Sequence, residues 1–286
     1  MTITSKSPAK INLVLKIVGK RPDGYHEILS VFQKLDLCDT LSFTPRDDGR
    51  LTLACDNPVV PLDGANLIIK AAEALRKHAG VKAGVDITLI KRIPIAAGLG
   101  GGSSNAAITL RTLNGLWRLN VPQKELTSIA LSIGADTPFF MGDWTCALVE
   151  GIGEKITPLN PRTSFPLLLV KPLFGISAKE AYQGSRFDFK GYPDVQGLID
   201  DVESGEPARL ARRLDNDLQP WAVQTHPELV TLLDRMMDTK PGPLKTIMSG
   251  SGSTLFGIYE SWESLAKACE NLKTAAPFVM AANSLV

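Results

Sequence analysis

An α+β fold divided into two domains is compatible with the pattern of this chain, and three observations bear on it. Residues 1–55 break into short alternating runs separated by turns, the pattern of an antiparallel opening. An alternating run, a glycine-rich loop and a helical apolar face follow one another directly between residues 85 and 116. Beyond a polar, proline-containing stretch at residues 160–163, a second series of strand-like and helix-like segments begins. At 286 residues the chain has room for one large or two medium domains, on a prior of roughly 100–200 residues each. The division taken is residues 1–160 and 161–286.

The elements follow in order. Residues 11–18 read as a first strand, Asp23-Gly24 as a turn, then residues 28–37, 40–44 and 51–55 as further strands, with a turn at 46–49. Asn66 is placed to cap a helix whose apolar residues Leu67, Ile68, Ala71, Ala72, Leu75 and Ala79 recur at helical spacing, and Gly80 ends it. Residues 85–90 alternate as a strand and Pro94 breaks it. Ala107, Leu110, Leu113 and Leu116 then mark a helix, and residues 122–133 give another, closed by Gly134. In the second half the continuous apolar run at 165–170 suits a buried strand. Several helices follow, then strands at 245–248 and 254–259, a helix at 262–272 and a strand at 278–283.

Thirty-one basic and 30 acidic residues give a net charge of +1 without a basic tract, so no nucleic-acid partner is expected and small molecules are. Cys38, Cys55, Cys146 and Cys269 are scattered and form no Cys-x-x-Cys pair, which argues against a disulfide framework and a zinc site. The first residues carry no apolar signal core, and no stretch approaches the roughly 18 apolar residues of a membrane span. A cytoplasmic protein with no membrane partner is the expectation; the oligomeric state leaves no trace in the sequence.

Function is most legible at Pro94-Ile95-Ala96-Ala97-Gly98-Leu99-Gly100-Gly101-Gly102-Ser103-Ser104. Glycines permit positive φ and leave no Cβ between backbone and ligand. Successive N–H groups can therefore converge on phosphate oxygens, and the helix that follows adds its positive end. Alone, such a run is as readily a flexible loop with a serine cap; its place between strand and helix favours a phosphate cradle. Gly102 is followed directly by Ser103-Ser104 and not by a lysine with Ser or Thr after it, which excludes the Walker loop, and neither His-Arg-Asp nor Asp-Phe-Gly occurs. A dinucleotide fingerprint would need glycine at 103 and an acid near residues 119–120, where Leu119 and Asn120 stand.

Other residues are ambiguous when read alone. Lys10 sits in a strand, ordinarily a place for a solvated lysine. Asp136, in Gly-Ala-Asp-Thr-Pro-Phe-Phe at 134–140, suits turn capping and chemistry equally. The glycine and hydroxyl alternation at residues 248–256 reads as a tight hairpin.

Together these segments resemble the GHMP small-molecule kinase superfamily, which includes galactokinase, homoserine kinase and mevalonate kinase and whose phosphate loop reads roughly Pro-x-x-x-Gly-Leu-Gly-Ser-Ser. The two extra glycines are similar to the branch that acts on a cytidine diphosphate-linked methylerythritol. Pro-Ala-Lys-x-Asn-Leu at 8–13 matches its first motif, Asp-Gly-Tyr-His at 23–26 a signature of that branch, and residues 134–140 and 248–256 two further motifs. The resemblance implies a ribosomal protein S5 domain 2-like N-terminal domain for ATP and catalysis, and a ferredoxin-like C-terminal domain for substrate. It implies ATP as phosphoryl donor, with Mg²⁺, and transfer to the substrate's 2-hydroxyl in the non-mevalonate route to isoprenoids.

By the same resemblance Asp136 is the acid-base residue and Lys10 a catalytic cation, with Asn12 lining the site. Tyr25 stacks on cytosine, His26 bonds its edge, and Phe32 and Tyr182 wall that pocket. The loop holds ATP, with Asn66 and Lys91 toward the adenine; helix capping accounts equally well for Asn66. Thr137 stands where valine is more usual. Ala96 and Ala97 replace glycines found in some relatives, and since alanine accepts most conformations of negative φ, only loop flexibility is in question. A kinase for another alcohol and a non-catalytic nucleotide-binding regulator are the alternatives.

Overall fold

Two long strands, β1 (Ile3–Lys20) and β2 (His26–Arg46), open the chain in a computed structural model that describes residues 1–189 and 194–286. The protein packs as two compact units that interleave along the sequence. The first comprises Met1–Ala9, Leu37–Pro94 and Gly100–Asp143; the second Lys10–Asp36, Ile95–Leu99 and Trp144–Val286. Interleaving follows from the length of β1 and β2, each of which contributes one stretch to either unit.

Sequence pattern splits β2 into two runs at Cys38-Asp39, yet the strand continues through them. A charged residue there looks like a break because buried carboxylates are costly. Asp39 escapes that cost because its side chain accepts hydrogen bonds from Arg92 N–H at 2.7 Å and Ile93 N–H at 2.8 Å.

In the first unit β3 (Leu51–Cys55) pairs in parallel with β4 (Gly84–Ile90), and β4 runs antiparallel to residues 40–46 of β2, with Thr40 opposite Ile90. Leu41, Phe43, Val85, Ile87 and Leu89 are essentially unexposed, and such side chains contribute about 1.5–3 kcal/mol each relative to exposure. Three helices belong to this unit: α1 (Leu67–Ala79), α2 (Gly101–Leu116) and α3 (Gln123–Ile133), each packed on the other two. Buried alanines, Ala71 and Ala72 on α1 and Ala106 and Ala107 on α2, allow the close approach. A 3-10 helix at Thr137–Met141 buries Phe139 and Phe140 edge to face, 5.1 Å between centroids.

In the second unit residues 28–33 of β2 pair antiparallel with β5 (Cys146–Gly151), which pairs in turn with β6 (Lys155–Leu159). The chain continues through β7 (Pro166–Lys171), α4 (Ala178–Gly184), α5 (Val195–Glu203), α6 (Pro207–Arg213) and the short β8 (Asp215–Asn216), which lies parallel to β1 at Val14 and Leu15. After α7 (Gln219–Thr225) and α8 (Glu228–Met237) come β9 (Lys245–Met248), β10 (Leu255–Ile258), α9 (Trp262–Leu272) and β11 (Phe278–Asn283). A four-stranded antiparallel sheet in the order β11-β7-β10-β9 results. Both inner strands are buried along their whole length, hence the unbroken apolar run read at 165–170. Helices α8 and α9 pack on this sheet. The expected α+β class holds. No helix among the described residues is long and apolar enough to cross a membrane.

Candidate active site

Lys10 is 3% exposed, which reverses the solvated-lysine default for a strand position. Its Nζ donates to Asn12 Oδ1 at 2.6 Å and lies 4.3 Å from the centroid of the Phe32 ring, a cation–π distance. Strand geometry produces this: residues 10 and 12 share one face of β1, so a side chain of each reaches the other. Asn12 is fixed further by Nδ2 donating to Ser30 Oγ at 2.9 Å, and Ser30 Oγ donates to the Val14 carbonyl. Phe32 is 1% exposed, so its ring serves as the base on which Lys10 rests.

The turn before β2 carries the aromatic signature. Asp23 accepts from the Tyr25 N–H at 3.1 Å, an Asx turn, and this backbone bond, ahead of the Arg21 side chain, holds the Asp23 carboxyl below its usual range. Tyr25 is 60% exposed, with its ring available. His26 stacks on Tyr182, centroids 5.4 Å apart and planes 23° off parallel, and Phe187 meets His26 edge-on at 5.2 Å. Burial, with a smaller contribution from Lys20, lowers the His26 pKa below its ordinary 6.5, so the imidazole is neutral at pH 7. Phe187 escaped notice in the sequence because only folding brings α4 and the residues after it to His26.

The glycine loop meets the 248–256 hairpin within the second unit. Ser249 Oγ donates to the Gly98 carbonyl at 3.0 Å, the Thr254 N–H donates to the Ala97 carbonyl at 3.3 Å, and the Lys10 N–H donates to the Leu99 carbonyl at 2.9 Å. Asn216, unremarkable in sequence, braces the hairpin by donating to the Met248 and Gly250 carbonyls. Gly98 needs to be glycine: φ is +73°, and a Cβ would collide with the Ser249 carbonyl oxygen. Ala96 corrects the expectation made for it. Its φ is +49°, in the left-handed region, and Gly175 lies opposite where any Cβ would fall 2.6 Å from Ala96 Cβ. Backbone strain, typically about 1–2 kcal/mol for a non-glycine residue, is therefore carried at that loop position.

The rest of the loop opens α2 in the first unit. Gly100, at φ +67°, is the N-cap and offers no side-chain bond, and the first turn contains no acid. Its N–H groups and the helix dipole are thus arranged for an anion. Ser104 is fully buried and accepts from Ser7 Oγ at 2.8 Å. The Lys91 side chain is buried: its Nζ pairs with Asp39 Oδ2 at 2.7 Å and also donates to the Ile93 carbonyl, and burial lowers its pKa. Asn66 caps α1, accepting from the Ile68 N–H at 2.9 Å.

Asp39 was missed in the sequence. Its parity with Leu37 and Leu41, both buried, was the signal that a carboxylate had to be paired inside.

Asp136 is half-buried at the start of the 3-10 helix and its side chain makes no capping hydrogen bond there. Neighbouring Thr137 is fully buried, and its Oγ1 has no hydrogen-bond partner. A buried unsatisfied hydroxyl costs about 1–3 kcal/mol, so Thr137→Val is expected to stabilise the protein by about 1 kcal/mol. A urea midpoint that failed to rise would mean the hydroxyl is satisfied in solution.

Residues 66–143 match the family described as GHMP kinases N terminal domain, and residues 198–277 that described as GHMP kinases C terminal. A 4-diphosphocytidyl-2-C-methyl-D-erythritol kinase of Pelotomaculum thermopropionicum is 40% identical over 92% of this chain and 91% of its own length. One of Bacillus subtilis is 40% identical over 91% of this chain and 90% of its own. The crystal structure of a 4-(cytidine 5'-diphospho)-2C-methyl-D-erythritol kinase matches with TM-score 0.82 at 33% identity over 99% of both chains. A homoserine kinase from Cytophaga hutchinsonii has the same fold, with TM-score 0.74 at 18% identity over 100% of this chain and 95% of that one.

Proposed function

Because this chain belongs to the 4-diphosphocytidyl-2-C-methyl-D-erythritol kinases among the GHMP kinases, we propose that it transfers the terminal phosphoryl group of ATP to the 2-hydroxyl of 4-diphosphocytidyl-2-C-methyl-D-erythritol. The products are ADP and the 2-phosphate, in the non-mevalonate route to isoprenoid precursors. The single observation that carries this reading is identity of about 40% along nearly the whole chain to kinases of that name.

Phosphoryl transfer passes through a loose transition state, so positioning and charge stabilisation supply most of the catalysis. Asp136 orients the acceptor hydroxyl and takes its proton. Lys10 offsets negative charge on the transferred group, a use that suits an ammonium held in one place by Asn12 and Phe32. The N–H groups opening α2, with Ser103 and Ser104, receive ATP phosphates. ATP is expected as its Mg²⁺ complex, whose ion neutralises phosphate charge. ATP binding and catalysis are assigned to residues 1–160 and further substrate contacts to 161–286, with the reaction in the cytoplasm.

Tyr25 stacks on the cytosine and neutral His26, supported by Tyr182, bonds its edge. A depressed His pKa means the neutral, bonded form is maintained above about pH 6.5 and is lost as pH falls through the lower folded value. KM for the cytidyl substrate is therefore expected to be flat from pH 8 to 6.5 and to rise several-fold below. The same rise in His26→Gln would assign it to another group.

The deciding experiment is ADP release with Mg-ATP and 4-diphosphocytidyl-2-C-methyl-D-erythritol, homoserine, mevalonate or no acceptor. Release that depends on the cytidyl alcohol is expected. Release with another alcohol alone would discard the cytosine pocket, and nucleotide binding without any turnover would make the chain a binding protein.

A further inference from the structure

Asp39 has no part in the chemistry above, yet it joins the segments on either side of the glycine loop. Its carboxylate is fully buried. Oδ1 accepts from the N–H groups of Arg92 at 2.7 Å and Ile93 at 2.8 Å, and Oδ2 accepts from Lys91 Nζ at 2.7 Å and Asn105 Nδ2 at 3.1 Å. Arg92 and Ile93 lead directly into Pro94, and Asn105 directly follows Ser104 on α2. One side chain therefore holds both ends of residues 94–104. Lys91 Nζ, which Asp39 anchors, lies 3.2 Å from where a Cβ on Gly101 would stand, so the pair also backs the first residue of α2.

We propose that Asp39 is a positioning residue for ATP: it clamps the two ends of the phosphate loop and so sets nucleotide affinity without touching the nucleotide. The inference rests on the ATP-binding reading of that loop. A loop whose ends are free pays for its ordering when ligand arrives, whereas a clamped loop has paid on folding. Asparagine cannot replace the carboxylate, because every partner is a donor and its amide nitrogen would face one of them.

Two variants and a control test this, each confirmed folded by circular dichroism and titrated calorimetrically with Mg-ADP, with KM measured for ATP and for the alcohol. Asp39→Asn is expected to weaken nucleotide binding about tenfold or more. Asn105→Ala deletes one clamp bond together with a buried Oδ1 that has no partner, so it leaves folding intact and weakens nucleotide binding about three- to fivefold. In both, KM for the alcohol stays within about twofold. The control, Asp201→Asn, removes a carboxylate that is 9% exposed and bonded to Arg209 and Arg213; it lowers stability and leaves nucleotide affinity unchanged.

Nucleotide affinity equal to wild type in a folded variant overturns the clamp. So does a parallel rise in alcohol KM, or an equal loss in the control. Should Asp39→Asn fail to fold, Asn105→Ala decides by the same criterion. A wild-type chain that binds no nucleotide overturns the kinase reading and the clamp with it, whereas wild-type binding matched by both variants overturns the clamp alone.

Discussion

Replacing Asp136 by asparagine is expected to lower kcat by about 10²–10⁴-fold, the usual cost of removing a general base, which corresponds to about 3–5 kcal/mol of barrier. Asparagine keeps the shape of the side chain and loses the ability to take a proton. The substitution is nearly isosteric, so the fold is expected to survive it. ATP affinity, which is read at other residues, stays within about twofold. Steady-state rates together with a nucleotide titration separate the outcomes. A kcat within tenfold of wild type would remove Asp136 from the chemistry. A parallel loss of folding would make it structural.

Gly98→Ala is expected to be the most damaging small substitution in the phosphate loop. The residue sits at φ +73°, and an added Cβ would meet backbone: the Ser249 carbonyl oxygen, and Gly252 N and O at 3.1 Å. No flexible side chain is there to move aside, and hairpin and loop are tied by the Ser249 and Thr254 bonds. Left-handed strain and overpacking together cost about 2–4 kcal/mol. Because the hairpin shifts along with the loop, activity falls more than stability does, by about 10²-fold or more at saturating alcohol and limiting ATP. Thermal unfolding and kcat/KM for ATP check this. Wild-type behaviour in both would mean the loop stands clear of the hairpin in solution.

Much of the fold was legible because it is written at short range. The apolar period of α1 and its Asn66 and Gly80 ends lie within one stretch of chain, as does the alternation of β4. The run at 165–170 announced a strand buried on both faces. Limits of the reading fall where partners are remote. Residues 28–37 and 40–44 read as two strands because Asp39 is a poor strand residue until Lys91, Arg92, Ile93 and Asn105 meet it. Ala96 looked ordinary, since φ is set by what crowds the loop and not by the residue's own preference.

By itself the sequence determined the chemistry on offer: a glycine run before a helix, one carboxylate ahead of Pro138, a lysine and an asparagine two residues apart, and a Tyr-His pair after a turn. Backbone period and local turn chemistry act over a few residues, and so can be read there. Tertiary structure alone decided what each group faces. It buried Lys10 over Phe32, stacked His26 on Tyr182, and took Lys91 into an ion pair with Asp39. The burial, charge and hydrogen bonding that give a side chain its role come from residues distant in sequence, which only the folded chain brings within a few ångströms.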